Sequence, residues 1–155
     1  MKFYRCAILL PMFLVVSCSN QVEDAVEVSE FHLKSMKRVE RESRVVRAEQ
    51  MKRLRGAVSA KEQRERKGHY YTVSWKLGES GGVDPVRVVL LYQQAGTGAK
   101  VLKREQVFAA NQTKGKCEFA IIGEPYQKNG RVLSWRTELY SGANLRASEQ
   151  SYLWE

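Results

Sequence analysis

Nucleophilic and metal chemistry both need histidine, cysteine and carboxylate side chains gathered in particular spacings, and this chain places few of them so. His32 and His69 are its two histidines, and neither belongs to an HExxH or CxxC pattern that would suggest a zinc site. Cys117 sits in the strand-like run Lys116–Ile122 with no local base to activate it, so it reads as a small buried residue. There is no Gly-x-Ser-x-Gly elbow. Gly96-Thr97-Gly98-Ala99-Lys100 has the look of a phosphate loop, but it lacks the third glycine of a dinucleotide fingerprint and the Ser/Thr that follows the lysine of a Walker loop. It reads as a hairpin turn. The eight acids from Glu79 to Glu155 are scattered over turns and strands, with no spacing that pairs two of them as catalysts. Trp75 and Trp135 share the alternation of their apolar neighbours and are expected inside, whereas the face of Trp154 is mixed. Asn111-Gln112-Thr113 is a glycosylation sequon by spelling alone. These residues predict no enzyme and no cofactor.

One residue is placed for a covalent modification. Lys2 and Arg5 precede an uncharged run, Ala7 to Val16. At ~1.5 Å per residue that run would make about 15 Å of helix, half of a ~30 Å hydrocarbon core, which suits the h-region of an export signal rather than a membrane span. It ends in Val15-Val16-Ser17-Cys18, which resembles the lipobox of bacterial lipoproteins: Val15 at the aliphatic position, Ser17 at the small one and Cys18 as the acylated cysteine. Cys6 has no apolar run before it. The resemblance implies cleavage before Cys18, lipidation of its thiol and residence in the cell envelope. Ser19 replaces the Asp that in this family retains proteins at the inner membrane, which favours the outer membrane where one exists. The resemblance covers about twenty residues and concerns processing, not activity.

Charge then divides the remainder. The whole chain carries 26 Lys and Arg against 17 Asp and Glu, a net +9. Residues 19–33 hold four acids and no Lys or Arg, while residues 34–67 hold thirteen basic residues against five acids. Residues 18–28 are accordingly expected to form the lipidated cysteine and an acidic tether. Residues 29–67 are expected to form a basic helical stalk, with Ser29 as N-cap and Met36, Val39, Val46 and Leu54 along one face. Gly56 ends the first helix, and the capping box Ser59-Ala60-Lys61-Glu62 starts a second, so the stalk breaks near 56–59.

From residue 68 the period changes to two. Six strands are predicted, near 70–77, 86–94, 100–108, 117–122, 132–140 and 145–154, with Tyr71, Val73, Trp75 and Leu77 on one face of the first and Leu133, Trp135, Thr137 and Leu139 on one face of the fifth. Short strands at this spacing, separated by glycine-bearing turns, read as an antiparallel β-sandwich over 68–155, making the chain mainly β. The sandwich resembles immunoglobulin or fibronectin type III modules in strand spacing and aromatic placement, although it lacks the inter-sheet cysteine pair of antibody domains. The aromatic stretch at the C-terminus is expected to belong to the core.

Composition is that of a folded protein, 43% hydrophobic and 28% charged, and excludes a polytopic membrane protein or a wholly disordered chain. The expected whole is a signal peptide over 1–17 and a lipid-anchored envelope protein whose sandwich is a non-catalytic binding or assembly module. The alternative is a structural spacer that oligomerises through its stalk. The basic stretch is either a solvated helical face or a dock for anionic lipid or an acidic envelope partner, with Arg38, Arg41, Arg44 and Arg47 as the candidate contacts. An exported lipoprotein rarely meets nucleic acid, so no nucleic-acid partner is expected.

Overall fold

The computed structural model describes residues 24–34, 43–78 and 83–154. Cys18, Arg38 and Arg41 lie outside these residues, as do the export signal and most of the tether. Among the described residues, seven strands and three short α-helices follow in the order β1 (Ala25–Leu33), α1 (Arg44–Leu54), α2 (Ala60–Glu65), β2 (Gly68–Lys76), β3 (Val86–Gln94), β4 (Leu102–Phe108), β5 (Lys114–Ile122), α3 (Glu124–Asn129), β6 (Val132–Ser141) and β7 (Asn144–Gln150), with a single 3-10 turn at Ala95–Thr97 between β3 and β4. The strands form two antiparallel sheets, β1-β2-β5 and β4-β3-β6-β7. Their inner faces share one core in a sandwich-like arrangement, with Tyr71, Val73, Trp75, Phe119 and Ile121 from the first sheet meeting Val86, Val88, Leu90, Tyr92, Trp135 and Leu139 from the second.

The alternation predicted for β2 holds: Tyr71, Val73, Trp75 and Leu77 are all buried. Trp75 packs against Phe108 with ring centroids 5.0 Å apart, and Tyr71 against Trp135 at 5.7 Å. Gly115 on β5 lies opposite Trp75, and a Cβ there would stand 2.6 Å from the indole, so only glycine allows the ring to lie flat on the neighbouring strand. Tyr70, on the other face of β2, is buried as well, because α1 covers it. In β6 the expected face is displaced by one residue at its start. A bulge between Gln93 and Gln94 pairs Gln94 with Val132, so Val132 turns inward and Leu133 is exposed.

The expected tether and stalk are corrected here. Residues 25–33 form an edge strand paired with β2 along its whole length, from Ala25 opposite Lys76 to Leu33 opposite Gly68. Helix therefore does not begin at Ser29. The reason lies in which residues face inward. Val26, Val28, Glu30 and His32 alternate on the core side, and the last two are polar, so the period of two was hidden. One acid of the expected tether, Asp24, and one from β7, Glu149, hold the strand in place. Asp24 accepts from Gly78 N at 2.7 Å and pairs with Arg146 at 2.8 Å, and Glu149 on β7 accepts from Val28 N at 2.7 Å. An otherwise unpaired edge is thus tied to the second sheet.

The N-cap of α1 is Ser43, whose side chain accepts from Val46 N. The capping box at Ser59 and Glu62 is present as expected, with Glu62 reaching back to Ser59 N at 2.8 Å, and α1 and α2 are separated by the expected break. They do not project as a stalk. Arg53 turns its guanidinium onto the sheet, bonding Glu118 on β5 at 2.5 Å and Glu49 at 2.6 Å and stacking 4.2 Å above the Tyr70 ring. Burial alone would lower its pKa, but the two carboxylates outweigh that and hold the guanidinium charged. Arg66 Nη1 donates to Arg53 O at 3.0 Å, fastening α2 to α1.

Candidate functional site

The densest group of chemically capable side chains lies at the end of the two sheets where β1 finishes and β2 begins. Register places His32 beside His69 and Glu30 beside Tyr71 on the inner face. His69 Nδ1 donates to Glu30 Oε1 at 2.8 Å, and Trp135 Nε1, from the opposite sheet, donates to Glu30 Oε2 at 3.0 Å. The imidazoles of His32 and His69 stack with centroids 3.7 Å apart, and His32 Nε2 bonds the Tyr126 hydroxyl on α3 at 2.9 Å. One carboxylate and two imidazoles therefore join β1, β2, β6 and α3.

Each group's ionisation follows from these neighbours. The hydrogen bond from His69 holds the Glu30 carboxyl below its usual pKa; burial opposes this, and the Trp135 bond assists it. Burial, then the charge of His69, then that of Lys34, press the His32 pKa down to about 4, so His32 is neutral at physiological pH. Burial foremost raises the Tyr71 hydroxyl well above its ordinary pKa, so Tyr71 stays protonated.

A carboxylate–imidazole pair resembles part of a nucleophilic triad, but the described residues do not complete one. His69 is 4% exposed, and its Nε2 is enclosed and without a hydrogen-bond partner among the described residues. A substrate cannot reach that nitrogen without displacing core side chains. Among the described residues no three His, Cys, Asp or Glu side chains are placed to hold a metal ion. The cluster works as a polar clamp between the sheets.

Tyr126 also forms the wall of an open hollow of about 350 Å³, together with Arg64, Lys67, Gln127 and Gly130. Helix α3 is well supported from beneath. Fully buried Gln94 donates to Pro125 O at 3.2 Å and to Gly130 O at 2.8 Å, fixing both ends of the helix. Gly130 N closes the last turn onto Tyr126 O at 2.8 Å. Arg64 and Lys67 come from the end of α2 and the link to β2. A second hollow, of about 370 Å³, lies between α1 and the outer face of the first sheet, but its guanidinium, Arg53, is already paired to two carboxylates.

Of the residues singled out by sequence, Arg44 is the exposed first residue of α1 and Arg47 lies half-buried in its first turn. Cys117 is half-buried on β5, and burial pushes its thiol up to about 11, away from thiolate chemistry. The pairing of His32 with His69 is not legible in the sequence, because residue 32 falls in the stretch expected to be helix. The local signals for α3 between β5 and β6 are its flanking glycines Gly123 and Gly130 and the early Pro125. No protein-family model, curated protein or solved structure matches this chain.

Proposed function

We propose that this is an exported, lipid-anchored cell-envelope protein whose two-sheet domain is a non-catalytic binding module. The observation that carries the reading is the lipobox-like run ending at Cys18, followed after only five residues by Asp24, already bonded into the fold. Six peptide steps of at most ~3.6 Å reach about 20 Å, so the domain would stand directly on the membrane rather than at the end of a stalk. Nine residues of β1, at ~3.3 Å each, then carry the chain about 30 Å away from it, to the end that holds His32, Tyr126 and the open hollow.

The three-on-four antiparallel strand order supports the immunoglobulin or fibronectin type III-like reading of the architecture, which on its own assigns no activity. The enclosed state of His69 supports a role in binding over catalysis. The spacer alternative has less support, since α1 is an eleven-residue helix folded onto the sheet. Arg38, Arg41, Arg44 and Arg47 remain the proposed contacts with anionic lipid or an acidic envelope partner.

The test is metabolic labelling with a fatty acid in a bacterial host. The wild-type chain takes up label and partitions into detergent, and Cys18→Ala loses both. Equal labelling of the variant would refute the anchor.

A further inference from the structure

We propose that the hollow between α2 and α3 binds a phosphate group, with Arg64 and Lys67 as its cationic ligands and the Tyr126 ring as the flat surface beside it. The inference rests on the reading of the domain as a binding module and names the chemistry that the module would take.

Two independent observations meet at this hollow. The first is its shape and lining: about 350 Å³, open to solvent, walled by Arg64, Lys67, Tyr126, Gln127 and Gly130. A space of this size falls within the range of small-ligand sites. Its floor is fixed, because the Tyr126 hydroxyl is held by His32 and α3 is pinned by buried Gln94.

The second is an uncompensated charge. Lys34, Arg64, Lys67, Lys128 and Arg131 all belong to this end of the domain, and none makes an ion pair among the described residues. The nearby acids are Glu30, which is taken up by His69 and Trp135, and the exposed Glu65 and Glu124, neither of which pairs with these cations among the described residues. Elsewhere the buried guanidinium, Arg53, is matched by two carboxylates. Charge beside the hollow is felt within the fold: Lys34 and, more weakly, Arg131 help to keep His32 neutral, against the opposing Glu30 carboxylate. A dianion set between Arg64 and Lys67 would balance the two cations that line the hollow, and a guanidinium beside an ammonium suits the several oxygens of phosphate. A neutral ligand would leave both uncompensated.

The phosphate could be free or carried on a sugar, and the two arms of the test separate these sources. The full-length chain, held in neutral detergent micelles, is titrated with inorganic phosphate, glucose 6-phosphate and glucose, and binding is read by calorimetry and by the shifts of the Tyr126 and Gln127 amide resonances. Phosphate and glucose 6-phosphate should bind and glucose should not. Tighter binding of glucose 6-phosphate identifies a phosphosugar site; equal binding identifies a site for phosphate alone. Arg64→Gln with Lys67→Gln should weaken binding about tenfold or more, while Lys76→Gln with Lys114→Gln, at the opposite end, should not. The proposal is overturned if neither phosphate ligand binds, or if the Arg64/Lys67 variant binds as the wild type does while its thermal midpoint is unchanged. Co-sedimentation of the same chain with envelope extract separates the two levels: retention without phosphate binding removes the hollow and leaves the module, whereas loss of both removes both.

Discussion

Removing the Glu30 carboxylate should destabilise the domain more than its edge-strand position suggests. Glu30 accepts two side-chain hydrogen bonds, from His69 and from Trp135, and both donors are over nine-tenths buried. Hydrogen bonds to a charged acceptor contribute ~1.5–3 kcal/mol each, and a stranded buried donor carries its own desolvation cost. The Glu30 side chain is 37% exposed, so water can enter the vacated space and satisfy part of what is lost. Glu30→Ala should therefore cost about 2–4 kcal/mol, towards the low end of the summed bonds. For a domain of this size that is a fall in thermal midpoint of roughly 6–15 °C. The assay is thermal unfolding followed by tryptophan emission, with Trp135→Phe as the second arm of a double-mutant cycle. If the Glu30–Trp135 bond matters as described, the cycle should show coupling of about 1 kcal/mol or more. A midpoint shift under ~3 °C with coupling near zero would refute the clamp.

Three further outcomes are expected. His32, lowered to about 4 in the fold from an ordinary 6.5, takes up its proton more readily when unfolded, so it is neutral and harmless above pH 6.5 and erodes stability as pH falls from 6.5 towards 4. Because the ring is partly open to solvent, the loss should be about 1–2 kcal/mol, and His32→Phe should flatten that portion of a stability–pH curve. Glu30 acts in a lower window: its depressed carboxyl contributes stability above its unfolded value and loses it as pH drops below, so Glu30→Gln should flatten the curve beneath about pH 4.5 instead. Gly115→Ala places a methyl 2.6 Å from the Trp75 indole and should cost ~1–3 kcal/mol in urea unfolding, with red-shifted emission as the ring is displaced. Ending the chain after Ser151 should lower the thermal midpoint only slightly, because Tyr152 and Leu153 are exposed and Trp154, though half-buried, bonds the adjacent Gln150 and Ser151; removing Ser151 as well should lower it further, since its hydroxyl accepts from Trp135 N and its own N–H donates to Trp135 O.

That last expectation reverses the one drawn from the aromatic C-terminus, and the difference shows where sequence stops being informative. Alternation of apolar residues is a local signal, and it located β2, β3, β5 and β6 because their inward positions carry Tyr, Val, Trp, Leu, Phe and Ile that need no named partner to be buried; β7, which buries no large apolar residue, ends at Gln150, short of the expected 154. The capping box at Ser59 is equally local and was legible for the same reason. The net charge and the lipobox-like run are likewise properties of the chain alone. Strand β1 was not legible. Two of its four inward positions are Glu30 and His32, which can face the core only because His69, Trp135 and Tyr126 meet them from 39, 105 and 94 residues away. Burial of a polar group depends on a partner, and the partner is supplied by the tertiary fold. The bulge that exchanged Val132 for Leu133 is of the same kind, set by how β6 pairs with β3 rather than by either segment. Sequence by itself determined the strands that bury their own hydrophobic faces; the tertiary structure decided the edge strand, the histidine pair and the basic hollow, because each exists only where distant residues satisfy one another or crowd like charges together.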